Sequence, residues 1–382
     1  MDIYKFVTPE IIFGRDSLGQ VGHSAARLGA RKVFLVSDPG VAEAGWVDRV
    51  ISIISKAGLG YHPWLEVTPN PKDCEVESGA EQYRGMGCDA VVALGGGSAI
   101  DAAKAVALLV SNCGSIKDYE GVDRIEQPLP PIVTVPTTAG SGAEVSQFSI
   151  IVDTQRKVKM SIISKSLVPD IAIIDPAVLV TKSTELTANT GMDALTHAIE
   201  AYTSVAATPL TDVQALNAIR LIARSLRKSV ASQTDIYAKE EMAMASLQAG
   251  LAFSNAILGA VHAMTHQLGG LLDMPHGEAN AILLPYVMNY NLIAAMEKYA
   301  EVAEAFGESS LGVGKRAMAE KAIVAVEKLS RDIGIPTSLS QVGLSEEVIP
   351  LLSTNAVKDA CILTNPRDMS VRDIERIFRQ AL

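Results

Sequence analysis

The sequence predicts two domains, an α/β domain over residues 1–178 and an all-α domain over residues 179–382. Three observations support this prediction. The length of 382 residues is more than one domain usually needs. In the first part, short β-branched runs alternate with helical patterns, as in a parallel sheet with helices on both faces. Beyond residue 184, nearly every pattern spaces its apolar residues three or four positions apart, which is typical of helices.

The elements of the α/β domain follow from these patterns in chain order. Strands are predicted at KVFLVS (32–37), DAVVALGGG (89–97) and PPIVTVPTT (130–138), with helices at WVDRVISIISKAG (46–58) and SAIDAAKAVALLVS (98–111). Three further strand-like runs, SQFSIIVD, KVKMSII and IAIID, come before residue 176 and are assigned to the same parallel sheet.

The helical domain is predicted from long amphipathic stretches. The clearest are DALTHAIEAYTS, LTDVQALNAIRLIARSLRKSV, EEMAMASLQAGLAFSNAILG and KRAMAEKAIVAVEKLSRDIG. Because ligands prefer the cleft between two such domains, we expect an active site there.

Composition narrows the class of protein. Apolar residues make up 48% of the chain and charged residues 20%, which suits a packed core rather than a disordered chain. With 33 Lys and Arg against 43 Asp and Glu, the net charge is −10, so nucleic acid and anionic membranes are poor candidate partners.

The cellular compartment is predicted from what the sequence lacks. The start, MDIYKFVTPEIIFG, does not have the pattern of a signal peptide, and no apolar run is long enough to span a membrane. The four cysteines have no metal-binding or redox spacing, which indicates free thiols in a reducing compartment. We therefore expect a cytoplasmic protein.

A glycine turn follows the second predicted strand. Gly95, Gly96 and Gly97 remove side chains where backbone N–H groups could approach an anion, and Ser98 opens a helix whose N-terminus favours negative charge. This arrangement predicts phosphate binding. The structural alternative is a tight strand–helix turn in which Ser98 and Asp101 form a capping box.

Two other loops at strand ends carry polar side chains. Asp38 follows the first predicted strand, where an acid in dinucleotide-binding folds accepts hydrogen bonds from ribose hydroxyls and disfavours the 2′-phosphate of NADP. Thr137, Thr138 and Ser141 lie in the glycine-rich loop VPTTAGSGAE. The alternatives are a turn-forming aspartate and an ordinary surface loop.

Three of the six histidines fall within HAMTHQLGGLLDMPH, at 262–276. His262 and His266 are four residues apart and so share a helix face, as do Asp193 and His197, while His276 is placed at the start of a further helix. Imidazoles with one carboxylate suit a divalent first-row metal such as Fe²⁺, Zn²⁺ or Ni²⁺. Any one of these histidines could instead be a satisfied buried polar residue, and spacing leaves open which of the five candidates is not a ligand.

Four stretches show a resemblance to a known family. They are LGGGSAIDAAKA, VPTTAGSGAEVS, GMDALTHAIEAY and HAMTHQLGG with PHGEANAILLP, and they resemble the iron-containing (group III) alcohol dehydrogenases. The resemblance implies the fold shared with dehydroquinate synthase, and it implies that Asp193, His197, His262 and His276 bind the metal. It makes His266 a proton-relay or substrate-contacting group. The positions it implies for NAD(P) contact are Asp38, Gly96, Gly97, Ser98, Thr137, Thr138, Lys159 and Leu179, with Asp101 ordering the phosphate loop.

The expected function is interconversion of short primary alcohols or diols and aldehydes, with NAD and a metal, Fe²⁺ before Zn²⁺ or Ni²⁺. A homo-oligomer is expected by resemblance. One alternative is a lyase like dehydroquinate synthase, although no basic residues for an anionic substrate flank the histidines. Another is a non-catalytic sensor that keeps the fold, which intact motifs do not exclude.

Overall fold

The structure is a computed structural model that describes residues 5–382. The chain divides into two compact units, and the division falls between Thr181 and Lys182. Val7–Thr181 is an α/β unit, and Lys182–Leu382 contains only helices and turns. The predicted fold class is confirmed, whereas a domain boundary at residue 178 stays a prediction.

In the α/β unit the elements are, in chain order, β1 (Glu10–Phe13), α1 (Val21–Arg27), β2 (Lys32–Val36), α2 (Pro39–Glu43), α3 (Trp46–Lys56), β3 (Gly60–Trp64), α4 (Asp73–Gly85), β4 (Ala90–Gly95), α5 (Gly97–Ser111), β5 (Gly121–Val122), β6 (Ile132–Pro136), β7 (Phe148–Asp153), β8 (Val158–Ile163) and β9 (Ile171–Ile174). Six strands form one parallel sheet in the order β1-β9-β6-β4-β2-β3. The buried apolar runs of β2, β4, β6 and β9 suit a sheet covered on both faces. Because β2, β4 and β6 are neighbours, the loops at their carboxyl ends lie at one edge of the sheet.

The assignment of every strand to one parallel sheet is wrong. β7 and β8 pair antiparallel and, with β5, form a separate three-stranded sheet. Only residues 154–157 join β7 to β8, and a parallel crossover needs a dozen or more residues. Asp153 stabilises this turn by accepting hydrogen bonds from the backbone N–H groups of Gln155 and Arg156. The alanine-rich α5 packs against both sheets and joins their cores.

In the helical unit the elements are α6 (Thr184–Thr203), α7 (Pro209–Ala231), α8 (Ile236–Ala256), α9 (Ala260–Leu272), α10 (His276–Asn291), α11 (Met296–Ala305), α12 (Lys315–Asp332), α13 (Ile349–Ala356) and α14 (Val371–Ala381). α6 packs against α7, α8 and α10 and is buried almost continuously from Gly191 to Thr203. This central position brings the polar side chains of α6 into the interior.

No individual helix within residues 5–382 has the length and apolar character needed to cross a membrane. α8 and α9 meet those two criteria only when taken together, as a pair bent by 102°. Most residues of both helices are buried inside the protein.

Candidate active site

Four of the predicted metal ligands come together in the helical unit. α6 carries Asp193 and His197, α9 carries His262, and α10 begins at His276. One ligand atom from each lies within 4.8 Å of the others, and the three Nε2 atoms are 3.7 to 3.8 Å from Asp193 Oδ1. Metal–ligand bonds of about 2.1 Å place tetrahedral donors about 3.4 Å apart, so small shifts would let these four hold one cation.

The surroundings of this cluster favour positive charge. Burial alone would raise the pKa of Asp193, but the charges of His197 and His276 and the contacts with His262 outweigh it and hold the pKa well below its usual range. Burial lowers the pKa of His262, yet Asp193 and Glu200 outweigh it and raise the pKa to about 9. Phe253 stacks on His197 at 4.4 Å between ring centroids and covers it with an apolar face. Carboxylates that favour a proton on an imidazole also favour a divalent cation.

Glu200 is a site residue that the sequence analysis missed. Its Oε2 lies 2.6 Å from His262 Nδ1, and its carboxylate also accepts hydrogen bonds from the backbone N–H groups of Gly259 and Val261 at the start of α9. When His262 is neutral, Nδ1 therefore carries the proton and Nε2 keeps a lone pair for a metal. The sequence signal was present, because Glu200 follows Asp193 by seven residues and shares its helix face.

Asn280 is a second missed residue. Its Nδ2 donates to Asp193 Oδ1 over 2.7 Å and lies 3.1 Å from His262 Nε2. One amide from α10 thus holds groups of α6 and α9 together.

His266 lies beside the four-residue cluster, outside it. Its ring stacks on that of His276 with 5.6 Å between centroids, and its Nδ1 donates to Asp359 Oδ2 over 2.9 Å. Asp359 also accepts from the backbone N–H of Cys361. His266, Asp359 and Cys361 form another group of metal-ligating atoms, but burial raises the pKa of the Cys361 thiol well above its usual range, which disfavours the thiolate a metal needs.

The glycine turn has the predicted strand–helix context, but the capping box of the structural alternative does not form. Gly96 is the N-cap of α5, no side chain caps this terminus, and Ser98 and Asp101 lie inside the helix. Because the helix starts at Gly97, neither side chain is placed to cap it. The first-turn N–H groups of a 15-residue helix are then met by no capping side chain, which suits an anion.

Asp38 and the hydroxyl loop, residues 137–142, pack against this turn. A Cβ on Gly95 would lie 3.3 Å from Asp38 Oδ2, and one on Gly97 would lie 2.9 Å from Ser141 Cβ. Asp38 also accepts from Val41 N and so caps the short helix α2, whereas its structural alternative was a turn-forming aspartate. Capping α2 and accepting from ribose hydroxyls are compatible, because a carboxylate has acceptor positions beyond the one that Val41 N–H uses.

The other predicted nucleotide contacts lie in three places: the hydroxyl loop, the segment after β9, and β8. Thr137 N–H donates to Gly95 O, and the side chain of Thr138 faces Gly96. Leu179 is buried in the 3₁₀ helix Pro176–Thr181, which follows the carboxyl end of β9. Lys159 lies on β8 in the smaller sheet, where its charge acts on Asp101.

The chain matches known proteins along its whole length. The model of the iron-containing alcohol dehydrogenases matches residues 8–176, and that of the C-terminal part of the Fe-containing alcohol dehydrogenase family matches residues 187–382. The 1,3-propanediol dehydrogenase of Klebsiella pneumoniae is 45% identical, and the NAD-dependent methanol dehydrogenase of Bacillus methanolicus is 42% identical; each match covers 99% of both chains.

A solved structure also matches the whole chain. The crystal structure of a 1,3-propanediol oxidoreductase has a TM-score of 0.98 and 45% identity, with all of both chains covered. The chain belongs to the iron-containing alcohol dehydrogenase family.

Proposed function

We propose that the protein interconverts short primary alcohols or diols and their aldehydes, with NAD(H) and a divalent metal. The observation that carries the proposal is the convergence of three imidazole Nε2 atoms on Asp193 Oδ1. Fe²⁺ is proposed before Zn²⁺ or Ni²⁺, held by Asp193, His197, His262 and His276. The substrate class is supported by relatives named 1,3-propanediol dehydrogenase and NAD-dependent methanol dehydrogenase.

The side chains around the cluster have separate parts in this proposal. Asp193, His197, His262 and His276 would hold the metal, which would supply Lewis-acid activation of the substrate hydroxyl and so favour hydride release to nicotinamide. Glu200 keeps the His262 Nε2 lone pair available. His266 carries the hydroxyl proton away, and Asp359 fixes its ring by accepting from Nδ1.

The nucleotide is proposed to bind at the carboxyl edge of the parallel sheet. The glycine turn contacts the phosphates, and Asp38 accepts from the ribose hydroxyls. The full set proposed for NAD is Asp38, Gly95, Gly96, Gly97, Ser98, Asp101, Thr137, Thr138, Ser141, Lys159 and Leu179. We further propose an NAD-binding domain over 1–178, a metal-binding domain over 179–382, a homo-oligomer, and a cytoplasmic location, the last supported by four free cysteines.

The direct test is turnover by protein loaded anaerobically with Fe²⁺, Zn²⁺ or Ni²⁺. We expect NADH formation with ethanol or a propanediol, NADH consumption with lactaldehyde, and loss of both after chelation. A metal-replete protein that turns over none of these would contradict the proposal and favour a sensor. A lyase would form product without net NADH. The relatives reported above are oxidoreductases and lend no support to either alternative.

Replacing Asp38 with serine should weaken the preference for NAD over NADP. Serine keeps the cap on α2 but removes the charge that repels a 2′-phosphate. We expect the ratio of kcat/KM for NAD to that for NADP to fall about tenfold or more, equivalent to roughly 1.4 kcal/mol. Glu43→Ser removes an exposed charge from the same helix and should leave the ratio unchanged. An unchanged ratio in Asp38→Ser would remove Asp38 from this role.

A further inference from the structure

The α/β unit buries a lysine completely. Lys104 lies on α5, and its side chain has no solvent exposure. Its Nζ donates to the carbonyl oxygens of Ala143, Ser146 and Phe148 over 2.6, 2.8 and 2.9 Å, and Ser146 Oγ lies within 3.1 Å. An ammonium has three protons, so these acceptors use its full capacity. Burial of an ammonium is unfavourable unless it is paired in this way.

Two carboxyl groups share the surroundings of Lys104. Burial raises the pKa of Asp101 and that of Glu144 to about 7 in each case, with Lys104 partly opposing the shift. Burial also lowers the pKa of Lys104 to about 8. The described hydrogen bonds of Nζ nevertheless go to backbone carbonyls and one hydroxyl, so the ammonium holds the segment by its main chain.

The clamped segment, residues 143–148, continues directly from the hydroxyl loop. Gly142 has a φ of 59°, which turns the chain into a short 3₁₀ helix at Ala143–Val145 and then an irregular stretch. The inward carbonyl groups of such a stretch need donors from elsewhere, and Lys104 supplies them. Ser141, two residues before this segment, packs on Gly97, and Gly97 and Lys104 both lie on α5.

We propose that Lys104 is a positioning residue for the nucleotide. By fixing residues 143–148 to α5, Lys104 keeps the hydroxyl loop packed on the glycine turn at the N-terminus of α5. The inference rests on the proposed function, because it takes the glycine turn and the hydroxyl loop to bind NAD. A lysine that serves stability alone would affect folding without a specific effect on nucleotide affinity.

The test compares NADH dissociation constants of purified, metal-loaded proteins, measured by fluorescence titration well below their unfolding temperatures. Lys104→Met keeps an unbranched side chain that is one atom shorter and removes the donors. We expect the Kd for NADH to rise about tenfold or more, with the metal content per chain unchanged. The matched control is Lys239→Met on α8, which also removes a buried ammonium, one whose Nζ donates to Ser229 O over 2.8 Å. It should lower stability and leave the Kd unchanged.

A milder variant covers the case in which Lys104→Met does not fold. Ser146→Ala removes one acceptor from the clamp, and we expect a Kd two- to fivefold higher, roughly half the effect in log units. A wild-type Kd in the folded variants, or an equal rise in Lys239→Met, would overturn the inference. A wild-type protein that binds no NADH would instead overturn the proposed function, so the two failures are distinguishable.

Discussion

Replacement of His262 by alanine is expected to abolish metal binding and turnover together. His262 is the most buried of the four clustered residues, with 1% of its side chain exposed, so water does not easily take its place. Its loss leaves two imidazoles and a carboxylate, and it leaves the buried Glu200 without its side-chain donor. We expect metal content to fall from about one ion per chain to near zero, and kcat to fall at least about 10³-fold. Elemental analysis and NADH-linked turnover measure the two losses.

The matched control is His23→Ala, which removes an exposed imidazole from α1. It should keep full metal content and turnover. If His262→Ala retained the metal while activity fell, His262 would be a contact for substrate rather than a ligand. If it retained both, the assignment of the four-residue cluster would be wrong.

Replacement of Gly277 by alanine is expected to destabilise the helical unit and disturb the same cluster. A Cβ at this position would lie 2.1 Å from the backbone oxygen of Asn189 on α6, and backbone cannot swing aside as a side chain can. α10 would have to move away from α6 by about 1 Å or more to restore ordinary contact. We expect the free energy of unfolding to fall by about 3 kcal/mol and the Tm to fall by about 10 °C.

This substitution should also weaken metal binding, because His276 immediately precedes Gly277 and its Nε2 would move away from Asp193. We expect the metal Kd to rise at least about tenfold, which is typical when a metal ligand loses the contacts that orient it. Gly85→Ala is the control, because a Cβ there would meet nothing within 4 Å. Differential scanning calorimetry and competition with a chelator give the two readouts. Wild-type stability in Gly277→Ala would contradict the described contact between α6 and α10.

Features encoded over short distances were predictable. The spacing of His262 and His266 predicted a shared helix face, and α9 confirms the helix. His276 was placed at the start of a helix, and α10 begins there. The predictions that failed depended on where a helix or strand ends. The capping box assumed that α5 begins after Ser98, whereas it begins at Gly97.

Contacts between distant parts of the chain were not predictable from local patterns. Asp359 is 93 residues from His266, and no spacing rule connects them. Glu200 was on the correct helix face, but its role depends on how α9 packs against α6, which the pattern of one helix does not state. Lys104 lay within an apolar helical run, and only the fold shows which carbonyl groups surround it.

The position of the division between Thr181 and Lys182 affects how the specificity of this protein can evolve. All candidate metal ligands follow it in the chain, and every residue proposed to contact the nucleotide precedes it. With these proposed assignments, the choice of cation and the choice of coenzyme are encoded in separate, contiguous halves of the polypeptide. Recombination near this point, or stepwise mutation within one half, could exchange one preference while the other is inherited intact.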